Sequence, residues 1–323
     1  MVKEIPRDKI EHSGCGAECG VVEIHSGVSS DIDRLILCAG NFKKNNEDSY
    51  VLTLIDPKTK SHKIIAREND RIRSAVPYGD GRILYAGDFK KYNEDGCALT
   101  LIDPETKDCE IVATENNCIS SAVPFGDGRI LCTGNFRKDN MAGCALTLID
   151  PKTKRYEVIV RENNFIYSAV PYGDGRILYT GDFRKDNKDG CPLILIDPKT
   201  KRYEVISRED DWINSAVPFG DGRILYAGDF TKDNRDGCAL TLIDLKSKKC
   251  EVISREDSWI YSAVPFGDGR ILYAGDFTKD GKKGCALTLI DPRNKKYEVI
   301  AREDNCIHSA VPFGGGKSLE ELV

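Results

Sequence analysis

Residues 213–229 read Ile-Asn-Ser-Ala-Val-Pro-Phe-Gly-Asp-Gly-Arg-Ile-Leu-Tyr-Ala-Gly-Asp. Ile213 to Val217 is a short β-prone run stopped by Pro218, and Gly220-Asp221-Gly222 supplies a tight turn into a second run, Arg223 to Asp229. After a polar loop, Cys238 to Ile243 makes a third run. The second and third runs are nearly continuous in apolar residues, as strands buried on both faces are. The fourth run, such as Tyr203-Glu204-Val205-Ile206, alternates and carries more charge, which suits an outer edge. Between the third and fourth runs the segment Asp-Pro-Lys-Thr-Lys recurs, as at Asp150 to Lys154, with proline presetting φ at the turn.

This four-strand unit is written again and again with a period of 47 residues: Ser-Ala-Val-Pro begins at Ser74, Ser121, Ser168, Ser215, Ser262 and Ser309. Such self-similarity marks a repeat architecture in which each unit buries its apolar faces only against its neighbours. A helical solenoid of similar period is the disfavoured alternative, because glycine and proline interrupt any helix drawn through nearly every copy. Four antiparallel strands with the middle two sandwiched describe a blade, so the fold class is all-β, a β-propeller. The pattern of residues 216–228 (AVPFGDGRILYAG) and 146–159 (LTLIDPKTKRYEVI) resembles the repeats of YVTN-type and NHL-type propellers. In those, a strand ends in a Pro-Asp-Gly-like turn and an Asp-Pro-x-Thr-Gly-like hairpin joins the outer strands. Here Lys154 and Lys201 stand where the hairpin glycine is common, and the Gly-His and Trp-Asp pairs of WD40 blades are missing.

The chain length divided by the period is close to seven, which favours seven blades over the alternative of six. On that count the whole chain is one domain, with six full repeats over 26–308 and a closing blade shared between the ends. Residues 1–25 are expected to supply its outer strands, Ile5 to Glu11 aligning with the Asp150 hairpin, and 309–323 its inner strands.

With 40% hydrophobic residues and 47 basic against 52 acidic side chains, the chain can bury a large core without disorder. The net charge of −5 leaves no bulk electrostatic footprint for nucleic acid. No apolar run is long enough for a membrane span, and the N-terminus has no signal-like apolar core. A cytoplasmic monomer is expected. Of 13 cysteines, five (Cys97, Cys144, Cys191, Cys238 and Cys285) share one repeat position, which reads as a small buried hydrophobe used once per unit and not as a disulfide framework.

The copies serve as internal controls. Glu68, Glu115, Glu162, Glu209, Glu256 and Glu303 never vary, nor do the turn aspartates (Asp80, Asp127, Asp174, Asp221, Asp268) or the arginines two residues on (Arg82, Arg129, Arg176, Arg223, Arg270). A catalytic group is needed once, a blade-locking bond in every blade, so these read as framework. Two positions behave oppositely. The residue before the first-strand Ile is Arg71, Cys118, Phe165, Trp212, Trp259 or Cys306, and the residue before the Ser is Arg73, Ser120, Tyr167, Asn214, Tyr261 or His308. In a propeller these lie on the looped face around the central channel. The candidate binding set is therefore Arg71, Arg73, Phe165, Tyr167, Trp212, Asn214, Trp259, Tyr261 and His308, rich in the side chains that anchor interfaces. The plain alternative is that the pre-Ile residue merely fills space between blades.

Other chemistry is weaker. The loop from Asp229 to Gly237 resembles a calcium loop, but basic residues interrupt its oxygens and the spacing is not that of an EF-hand, so it reads as a polar turn. His12, Cys15, Cys19 and His25 are zinc-ligand types at a spacing that matches no zinc module, and no metal or cofactor is assigned. No Gly-x-Ser-x-Gly elbow or P-loop is present. The function expected is a non-enzymatic scaffold or binding propeller for a protein or peptide partner. A multivalent glycan-binding lectin is the alternative, and a hydrolase or lyase centred on His308 the third reading.

Overall fold

The structure is a computed structural model that describes residues 35–44, 47–91, 96–115, 118–135, 143–186, 188–220, 222–230, 237–303 and 306–314. Among these the chain forms 24 strands and no helix, so no helix is long and apolar enough to cross a membrane. The strands make six separate four-stranded antiparallel sheets.

From the channel outward, blade two is Ile72–Pro77, Ile83–Gly87, Cys97–Ile102 and Cys109–Glu115. Blade three is Ile119–Pro124, Ile130–Gly134, Cys144–Ile149 and Tyr156–Glu162, and blade four Ile166–Pro171, Ile177–Gly181, Cys191–Ile196 and Tyr203–Glu209. Blade five is Ile213–Phe219, Arg223–Asp229, Cys238–Asp244 and Cys250–Glu256, and blade six Ile260–Pro265, Ile271–Asp276, Cys285–Ile290 and Tyr297–Glu303. Blade one contains Leu35–Lys44, Glu47–Ile55 and His62–Glu68, and its innermost strand is Ile307–Phe313 from the other end of the chain.

That last strand corrects the expectation of seven blades. Ile307–Phe313 opens no new unit; it pairs antiparallel with Leu35–Lys44, with Leu35 opposite Phe313 and Ala39 opposite Ser309. The innermost strands then contact one another in sequence around a closed ring, Ile307–Phe313 meeting both Ile72–Pro77 and Ile260–Pro265. Each Ser-Ala-Val-Pro tetrad is one innermost strand, so six tetrads make six blades. Joining the two ends in one sheet removes the open edge that would invite aggregation. The outer strands expected from residues 1–25, and residues 315–323, lie outside the described residues.

Burial follows the sequence pattern. The second strands are buried throughout, as Ile-Leu-Tyr-Ala-Gly in blades two, five and six and Ile-Leu-Tyr-Thr-Gly in blade four, and Cys-Ala-Leu-Thr-Leu-Ile is likewise buried in the third strands of blades three and six. The fourth strands bury far less, only Ile206 and Glu209 in blade four and Ile253 and Glu256 in blade five. Successive apolar clusters bridge neighbouring blades, as where Leu225, Leu240 and Leu242 of blade five meet Ile260, Tyr273 and Ile290 of blade six.

Two side-chain devices weld the blades. At five junctions the tetrad serine donates to the Ala carbonyl of the next innermost strand and accepts the same alanine's N–H, as with Ser74 and Ala122 (3.2 Å both ways) and Ser309 and Ala75 (3.3 Å both ways). Further out, the constant glutamate accepts the hydroxyl of a buried tyrosine in the next blade: Tyr85 to Glu68, Tyr179 to Glu162 and Tyr226 to Glu209 at 2.8 Å, Tyr273 to Glu256 at 2.9 Å. Lys91, Lys185 and Lys279 reach three of these carboxylates at 2.7–2.8 Å. In blade three Cys132 replaces the tyrosine, and Tyr156 bonds Glu115 instead. The glutamate series is thus framework, as the repeats suggested.

The constant Asp and Arg pair at the first hairpin, Arg82 gripping Asp80 (2.8 Å) and Glu110 (2.8 Å). Arg129, Arg176 and Arg270 repeat the contact to their aspartates. The Asp-Pro hairpins hold a lysine in the left-handed region, with φ 57° at Lys154 and 60° at Lys201. Eleven described cysteines are free thiols, and Cys144, Cys191, Cys238 and Cys285 of the recurrent position are buried.

Candidate functional site at the channel mouth

The residue before the tetrad serine is the extra residue of a β-bulge. In blade two Ile72 faces Gly87 and Ser74 faces Ala86, leaving Arg73 unpaired, and the same shift recurs at Ile119/Ser121, Ile166/Ser168, Ile213/Ser215 and Ile260/Ser262. Blade one shifts at Ala39/Gly40, opposite Ile307 and Ser309. A bulge re-aims the side chain of its extra residue, here off the packed faces of the blade. The glycine ending the second strand makes room for this: a Cβ on Gly228 would sit 2.0 Å from the Trp212 carbonyl oxygen, and one on Gly275 1.9 Å from that of Trp259.

The bulge brings most of the variable residues together. Phe165 stacks on Tyr167 (6.1 Å between ring centroids), Tyr167 meets Trp212 (6.3 Å), and Trp212 lies edge-on to Trp259 (5.3 Å). Trp259 meets Tyr261 (6.0 Å), and Tyr261 meets His308 (5.3 Å). Six candidates from blades four, five, six and one thus form an unbroken aromatic arc, each contact worth about 0.5–1.5 kcal/mol beyond burial. Phe165 and Trp259 keep 41% and 36% of their surface exposed, too much for residues that only fill space between blades. Asn214 stands apart, donating to the Ile260 carbonyl (3.1 Å).

Across the ring the chemistry is ionic. Arg73 grips Asp88 with Nε at 2.8 and 3.0 Å and a terminal nitrogen at 2.8 Å, while Arg71 is exposed. Burial first, then the charges of Arg73 and Arg71, push the His308 imidazole down to about 4. It is therefore neutral at physiological pH. The Cys306 thiol is drawn below its usual range by a hydrogen bond with Cys285, against burial, with Tyr261 adding a contact at 3.9 Å.

The aspartate after the second-strand glycine was not among the candidates. Its N–H binds the pre-Ile carbonyl, as Asp88 to Arg71, Asp182 to Phe165 and Asp276 to Trp259, each at 2.9 Å, and in blade two its carboxylate meets the variable Arg73. The signal in the sequence is that this position changes together with the pre-Ile residue from copy to copy.

The 2–3 loops sit with the 4–1 loops on this face: the Lys90 N–H binds Asn69 and the Thr278 N–H binds Asp257. In the loop of blade six Asp280 accepts from Tyr297 (2.8 Å) and Arg302 (3.2 Å), the geometry of a polar turn. The corresponding loop of blade five, over 231–236, and the His12, Cys15, Cys19, His25 cluster lie outside the described residues. Among the described residues no three His, Cys, Asp or Glu side chains gather as metal ligands would.

This ring defines a class: a six-bladed β-propeller repeat protein. No family model matches the sequence, and no curated protein matches it. Solved structures do match in fold. TolB from Acinetobacter baumannii superimposes with a TM-score of 0.71 at 13% identity, over 88% of this chain and 67% of that one. A chain of a nidogen/laminin complex gives 0.60 at 8% identity, over 86% and 97%. An oligogalacturonate lyase in complex with manganese gives 0.53 at 15% identity, over 78% and 71%. Likeness at these identities is a likeness of fold.

Proposed function

We propose that this propeller is a non-enzymatic binding protein that engages a protein or peptide with the aromatic arc at its channel mouth. The observation that carries the reading is the contrast within the repeats. Serine, glutamate, tyrosine and arginine contacts are rebuilt blade after blade, while the bulge residues change chemical class and join into one surface with exposed Phe165 and Trp259. Aromatic side chains of this kind supply large contact area at low entropic cost. A lectin with one sugar site per blade would keep the same ring in each, whereas the pre-Ile series runs through arginine, cysteine, phenylalanine and tryptophan. The variation supports a single extended ligand.

The test is a random-peptide display panned against the full chain and against Tyr167→Ala/Trp212→Ala/Trp259→Ala/Tyr261→Ala. Sequences enriched on the wild type and lost on the variant are expected, the variant still unfolding cooperatively though at a lower temperature for the ring contacts it lacks. If every enriched sequence binds both proteins equally, the arc is not the binding surface.

A further inference from the structure

The six copies pair their chemistry in a way that names the ligand. Where the pre-Ile residue is cysteine, in Cys118 and Cys306, the residue after the second-strand glycine is Asn135 or Asn41. Where it is aromatic, in Phe165, Trp212 and Trp259, that place holds Asp182, Asp229 or Asp276. In the remaining blade Arg71 accompanies Asp88, and there the carboxylate is filled by the guanidinium of Arg73 with three contacts of 2.8–3.0 Å. The residues that replace Arg73 beside the other three aspartates are Tyr167, Asn214 and Tyr261, none of them a cation.

These three carboxylates are half-buried, and two of them meet neutral donors: Asn164 (2.8 Å) and the Cys191 thiol (3.9 Å) at Asp182, the Cys238 thiol at Asp229. Among the described residues no lysine or arginine forms an ion pair with any of them; Arg184, the nearest in sequence to Asp182, pairs with Asp189 at 3.3 Å. Burial and the neighbouring Asp211 push the Asp182 carboxyl above its usual range, against the donors Cys191 and Asn164 and the more distant charge of Arg184. A carboxylate without an ion-pair partner among the described residues, on a residue whose N–H is bonded to the carbonyl of an aromatic residue as in Asp182 with Phe165 and Asp276 with Trp259, offers what a guanidinium or ammonium prefers, a charge-assisted fork of hydrogen bonds with rings at hand for cation–π attraction. Charge complementarity thus selects among the possible occupants of the arc.

Building on the reading of the arc as a peptide-binding surface, we infer that its ligand is an arginine-bearing peptide segment whose guanidinium groups occupy, in blades four to six, the place that Arg73 fills beside Asp88 in blade two. Arginine is favoured over lysine because the filled copy holds a planar fork. The bound segment lies over Phe165, Trp212 and Trp259 with its cations directed at Asp182, Asp229 and Asp276.

The probe is a synthetic peptide alternating arginine and glycine, with lysine and citrulline counterparts, titrated into the full chain while tryptophan fluorescence is followed. The arginine peptide should bind at least about tenfold tighter than the uncharged citrulline peptide, with lysine between, and weaken as salt is raised. Asp182→Asn/Asp229→Asn/Asp276→Asn should weaken it by about tenfold or more. Folding of that variant is supported by Asn41 and Asn135, which occupy the same position in two blades. Asn214→Arg, which rebuilds the Arg73–Asp88 pair against Asp229, should compete with the ligand from within and weaken it too. Citrulline binding equal to arginine, or an Asp-to-Asn variant that binds unchanged, overturns the inference. If panned peptides depend on the aromatic arc yet carry no arginine and ignore the three aspartates, this inference fails and the peptide-binding reading stands; if none depends on the arc, the broader reading fails.

Discussion

The tyrosine–glutamate locks make a quantitative prediction at alkaline pH. Tyr85, Tyr179, Tyr226 and Tyr273 are fully buried, and burial, reinforced by the glutamate each one meets, pushes their hydroxyls far above the ordinary value. In the unfolded chain the same groups ionise near pH ~10. The folded state holds four protons that the unfolded state releases above that pH, so stability is complete below about pH 10 and is lost as pH rises beyond it. Each tyrosine contributes a slope of about −1.4 kcal/mol per pH unit, hence about −5 for the four together. Tyr179→Phe keeps the stacking on Phe183 (5.5 Å) and removes one titrating hydroxyl. At neutral pH it forfeits a hydrogen bond to a charged acceptor, about 1.5 kcal/mol. Above about pH 10 its slope is shallower by one tyrosine, so the order of stability should invert near about pH 11. Urea unfolding of both proteins across that range, with tyrosinate absorbance followed in the folded state, measures the slopes. Equal slopes, or folded-state ionisation of all tyrosines near pH ~10, would refute the buried lock.

Three further outcomes are expected. Thr147 Oγ1 is buried without a partner among the described residues, and Ile194 occupies the same position in blade four, so Thr147→Val should be neutral or stabilise by up to about 1 kcal/mol; a loss of that size in urea unfolding would reveal a partner for the hydroxyl. His308, pushed down to about 4, should stay neutral at pH ~6 in a proton NMR titration, and because the unfolded chain protonates first, stability should fall between about pH 6.5 and about 4, less so in His308→Gln. Lys201 sits at φ 60° and its ion pair with Glu157 is long (3.5 Å) and exposed, so Lys201→Gly should stabilise by about 1 kcal/mol in thermal unfolding; destabilisation would mean the ion pair outweighs the backbone strain.

The blade is legible in the sequence because its strands, turns and buried middle pair are local matters of apolar runs, glycine and proline. The binding candidates were legible for a different reason. Repeats expose which positions vary, and Phe165, Tyr167, Trp212, Trp259, Tyr261 and His308 do meet in space. Asp182, Asp229 and Asp276 are not legible in this way, because an aspartate near a turn looks like solvated surface until the fold half-buries it and, at Asp182 and Asp276, bonds its N–H to the carbonyl of a variable aromatic residue.

By itself the sequence determined the repeat unit, the four-strand blade and the positions free to vary, since each depends on contacts within about one period of chain. Only the tertiary structure decided the number of blades and the shape of the mouth. Whether Ile307–Phe313 begins a seventh sheet or completes the first depends on which strand it pairs with, a contact with Leu35–Lys44 across nearly the whole chain that periodicity does not encode. The arc arises the same way, because packing successive blades side by side makes neighbours of residues a full repeat apart, as Trp212 and Trp259.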